Sequence, residues 1–394
     1  MEFDPFSDVF FNDPYPTYRA LRDESPVYHN REQSFYALSR YEDVLMATLK
    51  PLLFSSAEGV EVQGRDKSEL GVLPMIISMD PPKQIRQRKL VSMAFTPKTI
   101  AVLEDRIREC VGEFLDPLLE RGEGDFVKEF TSCVPADVIS LLLGVPKSER
   151  QRLRELVETE LTLEPGTTTV GAKGKGAAMS RVQYFIELVM TRRASPEMDM
   201  ISALIAAEIK NDDGEMDQLS DIEIVGFCML LQAAGAETAT KLMSNTLLLL
   251  QRNPESLRRV RADHSLLPGA IEEALRFWPP AQILGRQATE EITMHGVTIP
   301  KDARVMLLAG SASRDERQFD KPDDYDIDRE INIQLAFGHG VHKCIGAALA
   351  RLETRVALEE VLGRAESYEM DESRTERVKM INVAGYSSIP IRFS

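Results

Sequence analysis

The run Phe337-Gly338-His339-Gly340-Val341-His342-Lys343-Cys344-Ile345-Gly346 constrains this chain more than any other stretch. It sets one cysteine among small residues, just ahead of a helix-forming segment that begins Gly346-Ala347-Ala348-Leu349-Ala350-Arg351. A sulfur at a helix start faces unpaired backbone N–H groups and the positive end of the helix dipole. That setting is expected to lower the thiol pKa and hold the sulfur as a thiolate. The glycines let the backbone pass close to a large, flat partner that side chains would obstruct. Two other readings fit the same residues. One is an ordinary buried cysteine after a glycine loop, and the other is a zinc site made of His339, His342 and Cys344.

Composition excludes more than it assigns. The 394 residues are 43% hydrophobic and 28% charged, an ordinary balance for a protein with a large core. A formal net charge of -16 argues against general nucleic-acid binding, because phosphates would be repelled. The cysteines, Cys110, Cys133, Cys228 and Cys344, contain no Cys-x-x-Cys pair, so neither a zinc ribbon nor a thioredoxin-like site is indicated. They do not make a disulfide framework for a chain of this length. The start, Met1-Glu2-Phe3-Asp4-Pro5-Phe6, reads as neither a signal peptide nor an anchor. The run Leu247 to Leu250 stops at Gln251-Arg252-Asn253-Pro254, too soon to span a bilayer. A cytoplasmic location is the expectation.

Hydrophobic spacing predicts helices over Tyr41 to Thr48, Pro97 to Arg121, Ser148 to Leu163, Met179 to Arg193 and Asp199 to Lys210. Ser220-Asp221-Ile222-Glu223 has the form of a capping box, opening a long helix to about Arg252. Short strands are expected at Val27 to His29, Phe35 to Leu38 and Arg304 to Leu308, with a hairpin around Met294 to Ile299. Gly64 to Gly71 and Gly166 to Gly176 read as loops. The fold class is therefore mainly α with a small β region, and residues 1–394 read as one domain.

Further motifs lie in these elements. The long helix carries Ala233-Ala234-Gly235-Ala236-Glu237-Thr238. Gly235 costs about 1 kcal/mol against alanine there, which needs a reason. It either lets a ligand reach the backbone or marks a close helix–helix crossing. Thr238 can bond a carbonyl one turn back, and Glu237 offers a carboxylate for proton relay. Glu273 and Arg276 share a helix face at i,i+3 and can pair.

Together these motifs resemble the cytochrome P450 family. The cysteine run matches Phe-Gly-x-Gly-x-His-x-Cys-x-Gly at all its fixed positions: Phe337, Gly338, Gly340, His342, Cys344 and Gly346. Gly235, Glu237 and Thr238 match the oxygen-binding stretch, and Glu273 with Arg276 matches Glu-x-x-Arg. The resemblance covers essentially the whole chain and implies the family's triangular, single-domain fold. It implies heme b (iron protoporphyrin IX) with Cys344 as axial metal ligand. Glu237 and Thr238 would manage protons during oxygen activation, and Glu273, Arg276 and Arg329 would form a structural ion-pair trio. Arg88, Arg286 and His342 would hold the propionates, while Gln84 stands where the family usually has histidine and cannot carry charge. Substrate would meet Ile77, Leu230, Ala233, Ala234, Gln282 and Ile283, mostly apolar, as suits a hydrophobic small molecule. Gln282 would offer one hydrogen bond.

The implied activity inserts one atom of O2 into substrate, by hydroxylation or epoxidation, and reduces the other to water. With no flavin, iron–sulfur or Gly-x-Gly-x-x-Gly motif in the chain, electrons would come from a ferredoxin and its NAD(P)H-dependent reductase. Lys343, Arg351 and Arg86 are candidate docking cations. Two alternatives stand beside this. A peroxide-driven or isomerising enzyme of the same fold is disfavoured by Glu237-Thr238, a pair that such relatives commonly lack. A non-enzymatic heme sensor or electron carrier is the other; no output module is evident.

Overall fold

The computed structural model describes residues 3–61, 73–96, 100–101, 103–162, 170–211, 213–378 and 383–394. Its principal helices are α1 (Tyr15–Glu24), α2 (Tyr41–Leu49), α3 (Lys83–Ala94), α4 (Glu104–Arg121), α5 (Cys133–Leu142), α6 (Lys147–Leu161), α7 (Ala172–Ala194), α8 (Met200–Ala206), α9 (Asp221–Arg252), α10 (Pro254–Ala262), α11 (Leu267–Phe277) and α12 (Ala347–Arg364). The largest sheet contains β1 (Val27–Asn30), β2 (Phe35–Leu38), β3 (Phe54–Ser55), β4 (Leu284–Ala288) and β5 (Arg304–Leu307). Its spatial order is β1-β2-β5-β4-β3. Only the β2–β5 pairing is parallel, and it joins strands from opposite ends of the chain. The outcome is the mainly helical fold with small sheets that the sequence pattern implies.

Helix α9 is the axle of the helical part and packs on α5, α7, α11 and α12. Ser220 and Glu223 close the expected capping box at its start. It is long and apolar enough to cross a membrane by length and composition. Yet Leu247, Leu248, Leu249 and Leu250 are all buried among protein side chains, as in a core helix. Three of its buried hydroxyls bond one turn back: Thr240 donates to Ala236 O at 2.9 Å, Ser244 to Thr240 O at 2.9 Å and Thr246 to Leu242 O at 2.6 Å. Hydroxyls bonded this way are buried without an orphaned group.

Several expected boundaries move. The helix predicted to run to Lys210 ends at Ala206, and Glu208–Lys210 pairs antiparallel with Met216–Gln218. Asn211 makes the turn between them, its side-chain oxygen accepting from the N–H groups of Asp213 and Glu215. Ala172 to Gly176, expected as loop, belong to α7. A Cβ at Gly174 would sit 3.0 Å from the Thr159 carbonyl, so glycine here allows α7 to close on α6. The predicted loop Gly64 to Gly71 lies outside the described residues, as do residues 97–99 and 102 of the predicted Pro97 to Arg121 helix and residues 166–169 of the other loop.

Candidate active site

The cysteine loop is built by backbone bonds across its own turn. Gly338 N–H donates to Leu335 O at 2.8 Å, Lys343 N–H to Gly340 O at 3.1 Å and Cys344 N–H to Phe337 O at 2.8 Å. Gly338 and Gly340 have φ of 64° and 69°, a region that disfavours side chains. At Gly340 a Cβ would also lie 2.7 Å from the Thr48 carbonyl, so the loop presses on the end of α2. Gly346 then caps α12. Arg351 lies 4.5 Å over the Phe337 ring and pairs with Glu272.

Cys344 is exposed, whereas Cys110, Cys133 and Cys228 are buried. Protein nevertheless surrounds its sulfur on most sides, and that enclosure pushes the thiol above its ordinary value. The Gly346 and Ala347 N–H groups and Arg88 and Arg351 pull the other way without prevailing. This corrects the expectation of a lowered thiol: the helix start is where it was expected, but desolvation outweighs it. A metal cation at the sulfur would reverse the balance, because a coordinating thiol is deprotonated outright.

Three further groups gather beside this loop. Arg286, in β4 opposite Val305, is buried, and burial brings it down to about 10, with Asp80 opposing and Arg304 adding to the fall. Arg88, on α3, is lowered by burial and raised by the nearby Cys344. His342 is lowered to about 4, first by burial, then by Arg286, with Asp80 opposing and Arg88 adding to the fall. The Nε2 of His342 is buried with no hydrogen-bond partner. Neither arginine forms an ion pair among the described residues; their bonds run to the Gly285 and Val341 carbonyls. Buried cations without counter-charge are costly. The constellation therefore suits a ligand with more than one carboxylate, as the two propionates of heme provide.

Gln84 is turned elsewhere. Its Nε2 donates to Val341 O at 2.7 Å, and its Oε1 is buried without a partner. An amide oxygen cannot donate to a carboxylate, so Gln84 as placed clamps the cysteine loop and does not reach for an anion.

Glu273, Arg276 and Arg329 come together as expected. Arg276 grips Glu273 through two bonds of 2.7 Å, and Arg329 Nε donates to Glu273 Oε1 at 3.2 Å. Arg276 also donates to the carbonyls of Ser313, Pro322 and Asp324. Arg329 reaches those of Asp320, Lys321 and Asp324. The trio thus ties α11 to the chain that leads into the cysteine loop.

On α9, Leu230, Ala233, Ala234, Glu237 and Thr238 form an incompletely buried stripe, flanked by buried turns. They recur at i, i+3, i+4, i+7 and i+8, which is one helix face. Thr238 Oγ1 donates to Ala234 O at 2.8 Å. Glu237 pairs with Lys241 at 3.3 Å, a partner that its i,i+4 spacing signals but that no motif includes. Ile77 is half-buried in a short helical turn ahead of Asp80.

Some expected site residues stand apart from that stripe. The missing side chain of Gly235 would meet Ile139 of α5 at 2.5 Å, so this glycine serves a helix crossing. Ile283 is fully buried with Phe3, Phe10 and Tyr18, and Gln282 donates to Pro279 O while its Oε1 abuts Gly310. The N-terminal segment draws both into its own cluster. Among the docking cations, Arg86 is committed to Asp217 and Glu223, and Arg351 to Glu272.

A glycine-rich cysteine loop, a carboxylate-receptive cradle and an acid–alcohol pair on a long helix describe a heme-thiolate protein. The model of the family named Cytochrome P450 matches residues 31–385. The putative cytochrome P450 123 of Mycobacterium tuberculosis (strain ATCC 25618 / H37Rv) is 43% identical over 390 residues, covering 98% of this chain and 96% of its own. The solved structure of cytochrome P450 CYP109Q5 from Chondromyces apiculatus has a TM-score of 0.89 at 34% identity, covering 100% of this chain and 98% of its own. CYP109E1 from Bacillus megaterium, solved in complex with corticosterone, has a TM-score of 0.86 at 31% identity, covering 98% and 99%. The chain belongs to the cytochrome P450 family; it is a heme-dependent monooxygenase.

Proposed function

We propose that this monooxygenase oxygenates a hydrophobic small molecule, with electrons from an acidic, ferredoxin-type donor in the cytoplasm. The balanced reaction takes substrate, O2, two electrons and two protons to oxygenated substrate and water. The observation that carries the residue assignment is the convergence of Arg88, Arg286 and the partnerless Nε2 of His342 beside the one exposed cysteine. Heme, when bound, supplies the O2 reduction and O–O cleavage that a thiolate ligand favours.

The chain's own residues then divide the work. Cys344 would supply the thiolate ligand, and Arg88, Arg286 and His342 would hold the propionates. Glu273, Arg276 and Arg329 fix the path into the ligand loop. Glu237 moves protons at its carboxylate, and Thr238 Oγ1, turned to the Ala234 carbonyl, keeps the adjacent turn of α9 polar. Leu230, Ala233, Ala234 and Ile77 present an apolar wall to substrate and exclude water from it. The steroid complex of CYP109E1 supports including steroid-sized molecules among the candidates. Lys343, with Lys83 and Lys89 on α3, is exposed and forms no ion pair among the described residues. Their chain neighbours Gln84 and Arg88 bond Val341 of the cysteine loop, and exposed lysines on these elements suit an acidic donor despite the negative total.

A carbon monoxide difference spectrum of the reduced protein tests the ligand. A thiolate-type band supports Cys344; the band of a histidine-ligated heme overturns it. Titration with steroids, terpenoids, fatty acids and aromatics, read by the Soret spin shift, identifies the substrate class. Turnover with NAD(P)H, ferredoxin and reductase, compared with hydrogen peroxide alone, separates the proposal from a peroxide-driven enzyme.

A further inference from the structure

The axle helix holds a buried charge that the assigned roles leave unused. Lys241 is 3% exposed, and its Nζ lies 3.3 Å from Glu237 Oε2. Lysine is almost never fully buried unless paired. The C-terminal chain covers its stem: a Cβ at Gly385 would come within 2.9 Å of both Cγ and Cδ. This cover and the buried helix around it leave the ammonium directed at Glu237.

Glu237 also lines a small cavity, about 10 Å³, whose walls mix the apolar Ala136 and Val157 with the polar Ser132, Arg154 and Glu158. Space on that scale holds about one water. Glu158 is exposed at this cavity, and Arg154 donates to Ser132 Oγ at 3.1 Å. Thr238 Oγ1 is engaged by Ala234 O, so it does not compete for the carboxylate. Glu237 thus stands between the open stripe of α9 and a recess bordered by the exposed Glu158, with Lys241 as its one ion-pair partner among the described residues.

We propose that Lys241 is the positioning residue of the proton relay: it holds the Glu237 carboxylate at this junction, where a proton given inward is replaced from the Ser132–Arg154–Glu158 side. Two protons pass per turnover, the number that leaves as water with the reduced oxygen atom. The inference rests on Glu237 being the relay acid, so the test separates the two claims.

The experiment compares Lys241→Met, Lys241→Arg, Glu237→Gln and the double variant Glu237→Gln/Lys241→Met as heme-loaded proteins. Thermal unfolding of the set, with the unaltered protein, forms a double-mutant cycle. A non-additive cycle shows the pair, and an additive one overturns the proposal. The panel compound with the largest Soret shift then measures binding and coupling. Lys241→Met is expected to bind it within about twofold of the unaltered protein, yet to make about tenfold less product per NAD(P)H while releasing more peroxide. The double variant is expected to be no worse than Glu237→Gln, because residues acting as one unit are non-additive. Lys241→Arg, which keeps the charge, is expected to restore most of the coupling. Normal coupling in Lys241→Met with failure in Glu237→Gln sinks the lysine alone. Normal coupling in Glu237→Gln sinks the relay reading as well. If Lys241→Met does not fold with heme, the double variant and Lys241→Arg decide: an uncoupled Lys241→Arg that binds normally counts against a role for charge.

Discussion

The two faces of the candidate heme site are built on opposite plans. On the cysteine side, the network that leads into the loop is closed on itself: Arg276 alone makes bonds to Glu273 and three carbonyls, all within the protein. On the α9 side, the stripe of Leu230, Ala233 and Ala234 offers methyl and methylene groups, and its one side-chain hydroxyl bonds its own helix. A saturated polar network specifies one geometry. An apolar wall specifies only a volume and a preference for water-poor guests. On the proposed reading α9 carries both the relay acid Glu237 and the wall that meets substrate, and family membership settles the class of reaction without settling the substrate.

The contrast can be broken at several levels. Glu273→Gln should have the largest effect, because removing one member of a buried pair costs about 3–5 kcal/mol. Little heme-loaded protein should be recovered, as measured by heme per chain and thermal unfolding. An ordinary melting curve would mean that the trio is dispensable. Next is Cys344→Ser, which should keep the helical circular dichroism and lose the thiolate-type carbon monoxide band; retention of that band would remove Cys344 as ligand.

The third test uses pH on heme-free protein. The folded value of His342, about 4, lies below the ordinary 6.5. Its contribution to stability is present above pH 6.5 and is lost as pH falls through 6.5 toward 4, because the unfolded chain binds the proton first. The loss has a ceiling of roughly 3.4 kcal/mol. Chemical unfolding at pH 7 and pH 4.5 should show a shallower pH dependence in His342→Gln than in the unaltered chain; equal slopes would refute it.

The smallest effect belongs to the open wall. Ala234→Val adds bulk to the stripe, should change melting by no more than about 1 kcal/mol, and should alter which panel compounds shift the Soret band. An unchanged ligand order would place the substrate elsewhere.

Legibility in the sequence followed what spacing can encode. The Ser220 cap, the Glu273–Arg276 pair and the glycines of the cysteine loop are local patterns, and each formed as its spacing predicts. The Arg329 contact, 56 positions from Glu273, came from the family resemblance and not from spacing. Direction was harder to read. Gly235 faces Ile139, and Gln282 and Ile283 face the N-terminal segment, because the packing of distant elements decides which way a residue points. The sign of the Cys344 shift was equally hidden: a helix start is visible in sequence, but the surrounding protein that desolvates the sulfur is not. Arg86 looked available until Asp217 and Glu223 arrived from far along the chain.

Gly340 carries a consequence for how this protein can drift. Its backbone angle and the Thr48 carbonyl 2.7 Å from any added Cβ close the position to alanine as firmly as to tryptophan. Residues 48 and 340 are therefore tied across about three quarters of the chain, and the tie runs through main-chain atoms that no substitution at residue 48 can remove. In a saturation library this position should tolerate nothing, while its neighbour His339, partly open, varies freely.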